Sequence, residues 1–132
     1  NFKDFIIFTD FMYLYELYKF RYFLSMNELK EAEKQYKWLH VQKQNFSQHE
    51  RYLLSYFHSI SLVTRGKYTE ADKNLMKIIR QNINLGVFKG EVLYHIAVVK
   101  GHLEELYQGV FFGENGLDYF DVYFNFKIIV FS

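Results

Sequence analysis

Between Tyr52 and Gln81 two apolar runs of helical period meet at Arg65-Gly66-Lys67-Tyr68. In the first run Leu53, Tyr56, Phe57, Ile60, Val63 and Thr64 recur at three- and four-residue steps. In the second, Ala71, Leu75, Ile78 and Ile79 do the same after the opening Thr69-Glu70-Ala71. Such spacing places each set on one helix face. A glycine at the break supplies the backbone freedom to end one helix and turn into the next. The stretch therefore predicts a helical hairpin. The chain has no proline in 132 residues, against an average usage of about 5%. A chain that is nearly all helix tolerates that, because proline disrupts helix interiors. The expected fold class is all-α.

The other segments fit the same class. Thr9 or Asp10 is an expected cap for a first helix running through Met26. Its apolar residues populate more than one side, with Phe11, Leu14, Leu17, Tyr18, Arg21 and Tyr22 on one face and Met12, Tyr15 and Phe23 on another. That pattern predicts a helix buried between neighbours. Ser25-Met26-Asn27-Glu28 is expected to be a turn with a capping box. The next helix carries a stripe of Leu29, Ala32, Tyr36 and Leu39, opposed by a solvated face of Lys30, Glu31, Glu33, Lys34 and Lys37. Gln42–Gln48 is a polar linker, and Ser47 with Glu50 forms a second expected capping box. Past Gln81, Asn82–Gly90 is expected to be a loop, Glu91–Lys100 a helix, and Gly101 its break or bend. Leu103–Phe112 is a weaker helix, Gly113–Gly116 a loop, and Leu117–Phe131 a last helix that also has strand propensity.

A repeat runs through these elements. Phe20, Ser59 and Ala97 each lie twelve residues before Ala32, Ala71 and Gly109, and are themselves 39 and 38 residues apart. Small residues let helices approach where they cross, and Leu29, Tyr68 and Leu106 stand three residues ahead of the second small position. A helix–turn–helix unit recurring at this period predicts an α-solenoid of antiparallel helical hairpins, with about three repeats and an extra terminal helix. Gly66-Lys67-Tyr68-Thr69-Glu70-Ala71 after small Ser59 resembles the turn and second helix of a tetratricopeptide repeat, and Leu29-Lys30-Glu31-Ala32 with Tyr36 is similar. The resemblance covers about Met12–Phe112. The third unit departs from it at Gly109, and the 38–39 residue spacing exceeds the usual ~34. Long, Phe- and Tyr-rich repeats of this kind also resemble the sensor domain of the cytosolic peptide-pheromone regulators of Gram-positive bacteria. That resemblance implies one tetratricopeptide-like domain over residues 1–132, part of a longer transcriptional regulator of quorum-sensing type. The absence of an initial Met and the apolar end at Phe131-Ser132 fit the same expectation of a fragment.

Several function classes lose support from composition. The net charge of +1 gives no bulk attraction to nucleic acid or to an anionic membrane. Phe5–Phe23 and Tyr119–Phe131 are interrupted by charged residues, so neither is expected to span a membrane. There is no cysteine, which removes disulfides and thiolate metal sites and suits a reducing cytoplasm. The basic cluster Arg65, Lys67, Lys73, Lys77 and Arg80 is a solvated helix face rather than a nucleic-acid patch, because no aromatic residues interleave for base stacking. Glu91 and His95 stand one turn apart, but no second His follows at helical spacing, and such pairs are usually structural. No phosphate loop or nucleophile–base pattern is present. An enzyme is not expected, nor a metal or other cofactor.

A solenoid of hairpins lines a concave surface with the first helix of each unit, and that surface takes extended peptides or partner helices. In the repeat register the inner positions are Leu17 and Arg21, Tyr56 and Ile60, Tyr94 and Val98. Tyr56 and Tyr94 fall at equivalent places, and Tyr offers an apolar face with a hydroxyl. Arg21 suits a carboxylate, and Glu91 a ligand ammonium or amide. The expected ligand site is thus Arg21, Tyr56, Ile60, Glu91, Tyr94 and Val98, each also explicable as solenoid packing. The expected partner is a short peptide or protein segment. The alternative is a structural scaffold or homodimer without a small ligand, motivated by the apolar last segment.

Overall fold

A computed structural model describes residues 1–81, 86 and 88–103. Every element among them is helical: α1 (Phe2–Ser25), α2 (Leu29–Gln42), a 3-10 turn (Lys43–Asn45), α3 (Gln48–Thr64), α4 (Tyr68–Arg80) and α5 (Phe88–His102). The all-α expectation holds for these residues. The chain falls into two compact units, residues 1–61 and 62–132.

In the first unit α1 and α2 pack against each other. Leu17, Phe20 and Leu24 of α1 and Ala32 and Leu39 of α2 are buried. The Phe20 and Tyr36 rings meet at 5.7 Å, and Gln35 Nε2 donates to the Glu16 carbonyl at 2.9 Å. Ala32 is 2% exposed, as expected of a small residue where helices approach. Phe46, inside the polar linker, is buried with its ring 4.9 Å from Tyr13. The Ser47–Glu50 capping box forms as expected. Glu50 Oε1 accepts from the Ser47 amide at 2.8 Å, and Ser47 Oγ accepts from the Glu50 amide at 3.2 Å. Those reciprocal bonds satisfy two helix-start amides.

In the second unit α4 and α5 pack together. Ala71, Leu75 and Ile78 supply the α4 side of the core, and Val92, Leu93, Ile96 and Val99 the α5 side. The Tyr68 and His102 rings stack at 4.2 Å.

The two helix-ending turns are copies of each other. Asn27 has φ +57° and Gly66 has φ +74°, 39 residues apart. In the first turn the Glu28 amide donates to Phe23 O at 2.9 Å and the Asn27 amide to Leu24 O at 3.1 Å. In the second the Lys67 amide donates to Leu62 O at 2.9 Å and the Gly66 amide to Val63 O at 3.0 Å. This six-to-one plus five-to-two pairing is the Schellman arrangement, which needs one left-handed residue past the helix end. The next helices start alike, from Glu28 (φ −88°, ψ 73°) and Lys67 (φ −87°, ψ 66°), with no side-chain cap in either. The 39-residue recurrence is therefore present in backbone dihedrals and hydrogen bonds as well as in residue types.

Four expectations are corrected. First, α1 starts at Phe2 and not near Asp10. Asn1 Oδ1 accepts from the Lys3 and Asp4 amides, while the Thr9 hydroxyl donates back to Phe5 O at 2.8 Å inside the helix. Second, α1 is not buried on all sides, since Phe2, Phe5, Ile7, Phe8 and Phe11 are 62–77% exposed. Third, Ser25 does not cap α2. Its hydroxyl donates to Tyr22 O at 2.8 Å, because the Schellman bonds already turn the chain and leave it at the end of α1. Fourth, α5 begins at Phe88 and runs through Gly101 to His102. One glycine in a helix costs only about 1 kcal/mol, and its neighbours Val99 and Lys100 are held in the core. The expected helices at Leu103–Phe112 and Leu117–Phe131 lie outside the described residues.

A side chain at Gly66 meets no atom within 4 Å, so its cost is conformational alone. Gly66→Ala should lower stability by about 1 kcal/mol and Asn27→Val by about 1–2 kcal/mol. Asn27→Gly should stay within about 0.5 kcal/mol of wild type, Gly being the usual residue at this position. Urea unfolding midpoints check all three.

Candidate functional site

In the first unit, α1 and α3 bring Arg21 and Tyr56 together. The Arg21 guanidinium lies 5.8 Å from the Tyr56 ring centre and 5.2 Å from that of Phe57. These are cation–π distances, worth roughly 0.5–1 kcal/mol each at a partly exposed site. Tyr18 closes the cluster edge-on to Phe57 at 5.7 Å. Arg21 is half-buried, whereas Tyr56 is 2% exposed and sits among the core residues. The surface part of this pair is thus the guanidinium, with the tyrosine beneath it. Ile60, one turn after Tyr56 on α3, is half-buried.

In the second unit, Glu91, Tyr94 and Val98 follow one another at three- and four-residue steps on α5, and all three are half-buried. The spacing puts them on one side of the helix. The Tyr94 ring meets that of His95 edge-on at 5.3 Å. His95 Nδ1 lies 3.0 Å from the main-chain oxygen of Glu91. A carbonyl only accepts, so Nδ1 carries the proton there. The Glu91–His95 relation expected from spacing is therefore made through the backbone. Among the described residues no three His, Cys, Asp or Glu side chains converge as metal ligands.

Sequence reading missed the most buried charge among the described residues of the second unit. Lys100, within an apolar run, is 7% exposed, and its ammonium lies 3.1 and 3.2 Å from the two carboxylate oxygens of Asp72. The signal was available. Val92, Ile96, Val99 and Lys100 follow the core-facing steps of α5, and Asp72 adjoins buried Ala71. Beside the pair opens a cavity of about 360 Å³ lined by Asp72, Lys73, Met76, Lys77, Arg80, Gln81 and Lys100. Lys73, Lys77 and Arg80 share one face of α4, so this groove carries a surplus of positive charge. It uses part of the basic cluster assigned above to solvent, and Lys73, Lys77 and Arg80 are indeed exposed. Of the other histidines, His58 stacks on Tyr36 and His102 on Tyr68, both at 4.2 Å.

No family model, curated protein or solved structure matches this chain. Among the described residues no helix is long and apolar enough to cross a membrane.

Removing one partner of the ion pair leaves the other charge poorly compensated in the core. Asp72→Leu alone should cost about 2–3 kcal/mol, less than the ~3–5 kcal/mol of a fully buried pair because Asp72 keeps 20% of its side-chain exposure. Asp72→Leu with Lys100→Met should recover most of that loss, as apolar replacements of buried ion pairs commonly do. Denaturant unfolding of the three proteins measures both differences.

Proposed function

We propose that the chain is a tetratricopeptide-like helical-repeat domain that binds a short peptide or protein segment. On this reading it is the ligand-sensing part of a cytosolic bacterial transcriptional regulator. The observation that carries the proposal is the 39-residue recurrence of the Schellman turn at Asn27 and Gly66, each followed by a buried Ala four residues into the next helix start, Ala32 and Ala71. Repeating one hairpin with one turn geometry is how a solenoid is built, and a solenoid presents the first helices of its units to an extended ligand. α3 and α5 are such first helices in this register.

In each unit, ligand contacts fall to the candidate residues that keep surface. Arg21, its guanidinium 5.8 and 5.2 Å from the Tyr56 and Phe57 ring centres, receives a carboxylate. Ile60, Tyr94 and Val98 offer apolar contact, and Glu91 receives an amide or ammonium. Tyr56 acts by positioning Arg21. Binding would favour one packing of the repeats over another, and so bias an attached output domain in proportion to the difference in affinity.

Selection from a random octapeptide library, followed by calorimetry on the selected peptides, tests the proposal. Tyr94→Ala and Arg21→Ala should each weaken binding by about tenfold, or ~1.4 kcal/mol, with helix content unchanged. Failure to select any peptide, or equal affinity in both variants, would refute the groove assignment.

A further inference from the structure

α1 exposes an apolar stripe that a solvated helix does not need. Phe8, Phe11, Tyr15, Tyr18 and Tyr22 are 45–73% exposed, and their spacing alternates three and four residues without a break. That is the a/d seam of a helix that pairs with another helix. Phe5 and Met12 flank it, at 66% and 42% exposed. At about 200 Å² for a fully exposed side chain of this size, these groups together offer on the order of 800 Å². That matches the share each partner gives to an interface of standard size. It also exceeds the ~300–600 Å² of the largest apolar patch on a typical monomer.

We propose that α1 pairs with α1 of a second copy of this chain, antiparallel, about a two-fold axis near Tyr13. The seam chooses the direction. Asp4 continues the stripe four residues before Phe8. A parallel pair would set the two Asp4 carboxylates against each other, a like-charge contact that is unfavourable in an apolar seam. An antiparallel pair that places Phe8 against Tyr18 of the second copy, and Phe11 against Tyr15, brings Asp4 to Tyr22. A phenol there can donate to the carboxylate.

Sedimentation equilibrium of the full chain from about 1 to about 100 µM, a range spanning modest affinities, should give a monomer–dimer equilibrium. Phe11→Glu/Tyr15→Glu should remain monomeric throughout with the same circular dichroism, since both positions are exposed. A strict wild-type monomer, unlimited growth with concentration, or an unaltered dimer in the double variant would each overturn the proposal. The chain has no cysteine, so disulfide trapping reads direction cleanly. Phe8→Cys chains mixed with Tyr18→Cys chains should cross-link as heterodimers. Efficient cross-linking of Phe8→Cys chains with themselves would overturn the antiparallel arrangement.

Discussion

The last carbonyls of a helix have no partners within it, and this chain answers that constraint twice in the same way. At Asn27 and Gly66 the backbone crosses into the left-handed region and returns two amides to the helix just finished. The helix after each turn takes its starting direction from that reversal. The following helix begins without a side-chain cap, yet its fourth residue, Ala32 or Ala71, arrives buried. Local backbone bonding thereby delivers a small residue to the place where two helices approach.

The buried ion pair of the second unit follows from helical register. Lys100 lies on the core side of α5 because its helical register puts it there, and Asp72 makes that tolerable. Its methylene stem can lie among apolar neighbours while the ammonium meets the carboxylate. The histidines make flat ring contacts near these cores, half-buried His58 on Tyr36 and exposed His102 on Tyr68.

Much of the fold was legible in the sequence. The three- and four-residue periods located α2, α3 and α4, and the glycine located the second turn. Asn27 was harder to read, since the neighbouring Ser25 and Glu28 resemble a capping box that the backbone bonds made unnecessary. The start of α1 was misjudged because Thr9 and Asp10 look like caps, although a Thr hydroxyl can equally bond back within a helix. Gly101 looked like a break, but the burial of Val99 and Lys100 outweighs its weak helix preference. Of the site residues, the repeat register picked out Tyr94 and Val98, and Glu91 was chosen by its place one turn before His95; the three share one side of α5. Periodicity could not say that Tyr56 lies under Arg21, because depth depends on which helix arrives from elsewhere in the chain.

The Schellman turns carry a consequence for how this protein can change over time. Main-chain groups close both reversals, and Glu28 and Lys67, exposed at the starts of α2 and α4, make no side-chain cap. Mutation can rewrite the residues around each corner almost freely, provided one position still accepts a left-handed backbone. Two such turns can then diverge in sequence until little but their spacing and handedness remains shared.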